Sequence, residues 1–374
     1  MTEAPQRGAD AAAAAQAPRL LPSLDGWRAL SIALVLGSHC GAVAGFPASL
    51  QATWRWLFDG DLGVRMFFII SGFLITWLML REHDRSGAVS LRRFYARRAL
   101  RILPVYAAFL AVLAALQAFT PFRQSGAEWI GNLTFTTNFV GTTAWTSGHL
   151  WSLAVEEQFY LLWPSLVVGL GLATNLRRAL RILAVALVVA AIARTIWFFQ
   201  LAPAPLAPLF TGYSFFNYFD AIAIGCAAAM LYARKEEAVM RWTMRNPRAL
   251  VAIALLLIAV PYVWTRLLVM APIAVPFGNT LQGIGMAALL LQSLVAPTLG
   301  FYPMLNTAVA KKVGVLSYSL YIWQQLFSTR PEVFGLGDTW WLSFPWWLLP
   351  TFAAAFASYY WLERPLLLLR AKLR

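Results

Sequence analysis

The sequence predicts an all-α integral membrane protein with about ten transmembrane helices. Both termini are expected in the cytoplasm. Three observations lead there. Of 374 residues, 60% are hydrophobic and only 12% charged, with a mean hydropathy of +0.63; a soluble domain carries roughly 25% charged residues. Apolar runs of about 20 residues, the length a helix needs to cross a bilayer, recur along the chain, and they are continuous rather than alternating, unlike barrel strands. Finally, the basic residues are unevenly distributed.

The predicted spans, in order, are 28–46, 62–81, 102–120, 150–171, 182–200, 213–233, 249–268, 279–298, 313–329 and 345–362. With the N-terminus inside, the inner segments hold 24 of the 30 Lys and Arg, including seven Arg between Arg81 and Arg101. This bias orients the helices, because basic loops stay on the cytoplasmic side. It also explains the net charge of +14, which in a soluble protein would suggest nucleic acid; no nucleic-acid partner is expected. Residues 1–20 lack an apolar signal segment and read as a disordered cytoplasmic tail, leaving 21–370 as one transmembrane domain with no appended soluble domain. Cys40 and Cys226 fall within spans and imply neither a disulfide framework nor a metal site. Tryptophans gather in the outer segments 121–149 and 330–347. An interfacial belt explains most of them, and a few can stack on sugar rings.

Each charge inside a span costs at least ~2.5 kcal/mol and is a functional candidate. Arg28 and His39 lie eleven residues apart on span one. That is about 20° past three turns, so both share a face, roughly 16 Å apart along the axis. Arg suits phosphate, and neutral imidazole can take a hydroxyl proton. Either residue alone is more often structural; together on one face they favour function. Cys40 points about 100° away from His39, which argues against a Cys–His nucleophilic pair. Ser71 can hydrogen-bond a substrate carbonyl, whereas Gly72 reads as a close helix contact and Arg65 as a side chain reaching to the outer interface.

Arg98 and Arg101 share a face at i, i+3 in the arginine-rich inner loop. Topological charge and phosphate binding weigh about evenly there. Ser152, Glu156 and Tyr160 form one polar stripe, with His149 near its outer end. Of the adjacent Glu156 and Glu157, at least one should be paired or protonated; an ion pair suits Glu157 while Glu156 faces the site. Asp220 is an isolated intramembrane acid with Arg65 and Arg194 as candidate partners.

At these residues the chain resembles the membrane-bound acyltransferase-3 family of O-acyltransferases. Leu24-Asp25-Gly26-Trp27-Arg28 followed by His39 matches its opening Arg-x10-His motif. Phe67 to Phe73, Phe94 to Pro104, and His149-Leu-Trp151-Ser-Leu-Ala-Val-Glu156-Glu157-Gln-Phe-Tyr160 match its next three. Phe219-Asp220 to Gly225, Gly314 to Tyr321, and Glu363-Arg364-Pro365 follow. Two positions depart. Arg65 stands where members often have an acid, and Gln324 where members often have His after the aromatic run of the ninth helix. The resemblance implies transfer of an acyl group, commonly acetyl from acetyl-CoA, to a hydroxyl of a polysaccharide, lipid-linked sugar or similar acceptor at a bacterial plasma membrane. Membrane lipid would surround the chain.

On this reading His39, Glu156 and Ser71 are the catalytic candidates. Arg28, Arg98 and Arg101 would hold the acyl-CoA donor, and His149, Ser152, Tyr160 and Asp220 the glycan acceptor. No metal is called for. A proton-coupled transporter is the main alternative, since intramembrane acids and a central His suit one. No convincing internal repeat supports it.

Overall fold

A computed structural model of the chain describes residues 21–371, apart from 142, 204, 205, 211 and 338. The expected tail 1–20 lies outside the described residues. The described residues are helical and contain no strand. Ten principal helices occur in order: α1 (Leu24–Cys40), α2 (Gly60–Ser86), α3 (Leu91–Phe119), α4 (Leu150–Gly169), α5 (Leu176–Phe198), α6 (Phe215–Arg234), α7 (Pro247–Arg266), α8 (Ala271–Val295), α9 (Ala308–Phe327) and α10 (Leu348–Ser358). The last continues through a π-turn, Tyr359–Glu363, into Arg364–Ala371.

A helix falls in each predicted segment, but the segments are not equal. Six helical stretches are long and apolar enough to cross a membrane by length and composition. They are Ala48–Ser86, which contains α2, and α3, α5, α6, α7 and α8. The predicted first span, 28–46, is shifted: α1 begins at Leu24 and stops at Cys40 after 17 residues. The polar stripe of α4 and the polar residues of α9 dilute their hydropathy, so these helices depend on being surrounded by protein.

Local sequence sets the helix starts. Asp59, Ser90, Asn175, Asn246 and Thr307 cap α2, α3, α5, α7 and α9 by accepting a backbone N–H, which satisfies donors the first turn leaves open. Gly87, at φ +74°, ends α2 in the left-handed region that suits glycine.

The bundle is built around α2 and α6. In the apolar window of α6, 78% of residues are buried, against 11% in α7, so α6 is central and α7 peripheral. Close approach of α2 and α6 needs glycine on both: a Cβ at Gly72 would meet the Ile222 carbonyl oxygen at 2.0 Å, and one at Gly225 the Ile69 carbonyl oxygen at 2.1 Å. Gly314 of α9 meets the Asp25 carbonyl of α1 in the same way. On the outer flank, α5 and α8 pack together and against α6.

Two expectations change here. Arg65 does not reach the interface: it is buried, and its guanidinium donates to Gln282 Oε1 of α8. The residues around it, from Gly63 to Met66, are all buried, and since four successive residues cover most of a turn, α2 is enclosed by protein at this level. Asp220 is not isolated. It pairs with Arg194 of α5 at 3.0 Å and accepts from Thr280 of α8 at 2.5 Å. Arg194 also donates to the carbonyls of Pro276 and Asn217 and to Thr280 Oγ1. Both ions are only 2% exposed, and the set ties α5, α6 and α8 together.

Removing one partner strands the other charge, a loss of about 3–5 kcal/mol for a buried pair. Asp220→Ala should therefore lower thermal stability in detergent sharply, and Arg194→Met/Asp220→Leu should recover much of the loss. An Asp220→Ala protein that melts with the wild type would contradict this assignment.

Candidate active site

The site begins at Arg98, on the second turn of α3. Its Nη2 lies 3.4 Å from Glu156 Oε1 and its Nε 3.6 Å from Glu157 Oε1. Its guanidinium carbon also stands 3.7 Å from the centre of the Tyr160 ring. One flat cation thus meets two carboxylates and an aromatic face, an arrangement a lysine could not reproduce. Adjacent residues of one helix point about 100° apart, so a planar fork is what lets one residue meet both acids.

Glu156 in turn accepts hydrogen bonds at Oε1 from Ser71 Oγ of α2 and from the Tyr160 hydroxyl. Ser71 and Tyr160 also touch each other. The structure therefore brings Ser71, Glu156, Tyr160 and Arg98 into one cluster joining α2, α3 and α4. Arg98 lines a cavity while its charge faces both carboxylates; its Nε and Glu157 Oε1, 3.6 Å apart, have no hydrogen-bond partner.

A cavity of about 710 Å³ opens beside this cluster. Its wide rim carries Arg28, Arg85, Arg93, Arg97 and Arg101 together with Arg98. Ser71 and Glu156 lie on its wall, with Val64, Phe67, Ser152 and Tyr321 further in. Arg97 pairs with Glu82 at 2.6 Å and Arg28 with Asp25 at 3.3 Å. Arg101 lies within electrostatic reach of Glu363, a buried acid on the π-turn of α10 that also accepts from Ser319 Oγ. Glu363 is missing from the expected site. Its place in a charged motif next to Pro365, which has no N–H to continue the α-helical ladder, was the available signal.

His39 does not line this cavity. Its Nδ1 hydrogen-bonds Gln324 Oε1 of α9 at 2.5 Å, and its ring packs edge-on against Trp145, with centres 5.1 Å apart. Gln324 lies three residues beyond the cavity residue Tyr321 on α9, a rise of about 4.5 Å. The His39–Gln324 pair is therefore about one turn past the inner end of the cavity. With the amide oxygen accepting, Nδ1 carries the proton and Nε2 keeps its lone pair. Gln324 is the partner that residue patterns did not supply.

Three expected acceptor ligands, His149, Asp220 and Tyr160, fall outside the cavity. His149 is buried, its ring nitrogens facing Gln325 Oε1 at 2.8 Å and the Ile322 carbonyl at 3.0 Å. It clasps the start of α4 to α9, which leaves it no side facing a ligand. Asp220 is enclosed in its ion pair with Arg194. Ser152 does line the cavity but bonds the Tyr321 hydroxyl at 2.5 Å. Tyr160 is 1% exposed and lies behind Glu156.

The acyltransferase domain family model matches residues 21–364, and the chain belongs to that family. The O-acetyltransferase OatA of Staphylococcus aureus strain NCTC 8325 is 35% identical over 166 residues, 41% of this chain and 26% of that protein. OatA of strain COL matches over the same shares. A further protein of strain COL, provisionally named an O-acetyltransferase, is 33% identical over 173 residues, 42% of this chain and 26% of its own length. The chain spans about a quarter of the length of these relatives in the matched region. No solved structure matches the chain.

Arg98→Ala would leave two neighbouring carboxylates without their cation. It should lower the thermal stability of the purified protein, and Arg98→Ala/Glu157→Gln should restore part of it, since one uncompensated charge is gone. Equal melting of Arg98→Ala and wild type would mean that the cluster does not hold α3 to α4.

Proposed function

We propose that this protein transfers an acyl group, most simply acetyl, from a cytoplasmic acyl-CoA to a hydroxyl of an extracytoplasmic polysaccharide or glycolipid. The bundle would cross a bacterial inner membrane ten times, both termini and the arginine-lined rim facing the cytoplasm. The carrying observation is a cavity that runs from a set of arginines to Ser71 and Glu156 and stops about one helical turn short of His39. Membership of an acyltransferase family disfavours the transporter reading.

The residues fit a coenzyme donor. A volume near 710 Å³ is in the range of small-molecule sites, roughly 300–1,000 Å³. Arginine forks suit phosphate oxygens. Arg28 and Arg101, on different helices at the rim, would take the phosphates, and Arg98 would add positive potential from its fixed place between the carboxylates.

In the transfer itself, His39 Nε2 accepts the proton of the acceptor hydroxyl. The freed oxygen attacks the thioester carbonyl carbon, the carbon–sulfur bond breaks, and the coenzyme leaves as a thiolate that takes the proton back from His39. An ester and a free thiol result. Gln324 holds the imidazole in the tautomer this needs. Ser71 keeps Glu156 at the cavity wall; its one proton is given to that carboxylate, and Ser152 and Tyr321 lie between it and His39, so it takes no oxyanion contact in this scheme.

His39→Ala should reduce transfer of radiolabelled acetyl from acetyl-CoA by about 10²–10⁴-fold, the usual contribution of a general base, with membrane insertion intact. Transfer at the wild-type rate in that variant overturns the mechanism. Gln324→Leu should lower kcat with little change in donor KM. Arg28→Ala or Arg101→Ala should raise donor KM about 10–100-fold, as expected for losing one charge-assisted bond. An unchanged donor KM in both would move the coenzyme elsewhere.

A further inference from the structure

A second cavity of about 420 Å³ lies at the other end of the bundle. It is formed where α3 gives way to its following loop, by Pro121, Phe122 and Arg123, and where α9 gives way to its own, by Thr329, Glu332 and Val333. Trp145 and Thr146 complete its wall. Between Arg93 at the rim of the first cavity and Pro121, α3 covers about 40 Å at 1.5 Å per residue. The two cavities therefore sit at opposite ends of the bundle. Helices α1, α3 and α9 or their flanking loops reach both: Arg28, Arg98 and Tyr321 line the first, while His39, Arg123 and Thr329 stand at or next to the second.

Trp145 separates this pocket from His39. One part of its ring packs edge-on against the imidazole, its indole N–H donates to Ser328 at 3.2 Å, and 42% of its surface stays exposed. Thr146 contributes an independent sign of a ligand. It is only 1% exposed, and its Oγ1 is buried with no hydrogen-bond partner. Leaving a buried hydroxyl unsatisfied costs about 1–3 kcal/mol, so an occupant able to hydrogen-bond it would be favoured. Arg123 is held in place at the end of α3 by donating to the carbonyls of Gln117, Thr120 and Phe122.

We propose that this pocket is the saccharide subsite of the acceptor, with Trp145 as its stacking platform and Thr146, Arg123 and Glu332 as its polar ligands. The inference rests on the acyl-transfer reading and gives it the acceptor's location. The pocket offers an exposed aromatic face beside one cation, one anion and a hydroxyl. A sugar ring has the matching chemistry, a C–H face that packs on an aromatic ring and hydroxyls that both donate and accept. A lipid chain would leave Arg123, Glu332 and Thr146 unanswered, and an anion would meet Glu332. A sugar seated on Trp145 would be separated from His39 by that side chain, so a shift of Trp145 would open a path from a sugar hydroxyl to the imidazole.

The test uses the full chain in detergent with a panel of glucose, galactose, mannose, rhamnose and N-acetylglucosamine, each free and as its β-linked dimer and tetramer. Hydrogen exchange is followed at residues 121–123, 144–147 and 329–333. At least one saccharide should protect these segments in wild type, and Trp145→Ala should abolish the protection. With acetyl-CoA as donor, the KM for that saccharide should rise at least tenfold in Trp145→Ala and about fivefold in Thr146→Val, while donor KM moves less than twofold. Thr146→Val keeps the shape of the side chain, and if Oγ1 were only an idle buried group the change would be neutral or stabilising. Saccharide KM at the wild-type value in both variants overturns the subsite, as does a panel in which no sugar protects the segments. Protection without coenzyme release in wild type would keep the subsite and instead count against the acyl-transfer reading.

Discussion

Arg98 is the contact on which the organisation of the site depends. It reaches from α3 to two consecutive glutamates on α4 and lies over the ring of Tyr160. In a medium of low dielectric those carboxylates would be intolerable without a cation. With it, Glu156 remains at the cavity wall and can hold Ser71 and Tyr160 through their hydroxyls. Three helices thereby acquire a fixed relation around the cavity wall at Ser71 and Glu156.

The same constraint appears elsewhere with other residues. Arg194 and Asp220 perform for α5, α6 and α8 what Arg98 and Glu156 do for α2, α3 and α4. The difference lies in exposure. Arg194 and Asp220 are buried and line neither of the two cavities described, whereas the Arg98 set keeps Glu156 on a cavity wall. Burial of a charged group marks importance in both cases, but only access separates a site from a brace. This is why Asp220, equal to Glu156 as an intramembrane acid in the sequence, belongs to packing.

Much of this is legible in the sequence. Continuous apolar runs mark where the helices lie, because each run must satisfy its own backbone in lipid. The i, i+4, i+8 spacing of Ser152, Glu156 and Tyr160 puts them on one face, and that face does meet Arg98. What could not be read were partners across helices. Nothing local distinguishes Arg65 from Arg194 as the mate of Asp220, or reveals that His149 faces α9 instead of a ligand. Gln324 could be flagged only because a different residue type is common at its position; its contact with His39 depends on how α9 lies against α1. The short α1 and the π-turn of α10 were also hidden, since hydropathy senses length of burial and not the hydrogen-bond pattern inside it.

His39 owes its position to the combination of these packings. Gly26 of α1 lies against the Leu305 backbone just ahead of α9, and Gly314 of α9 against the Asp25 backbone. Those close approaches fix the register of α1 beside α9. That register puts Gln324 opposite His39, one turn beyond Tyr321 at the inner end of the arginine-lined cavity. On its other side, the segment leading into α4 lays Trp145 against the imidazole. The histidine is thus held between two cavities that lie at opposite ends of α3, about 40 Å from Arg93 to Pro121. Two glycines, one amide and one indole ring are enough to define that placement.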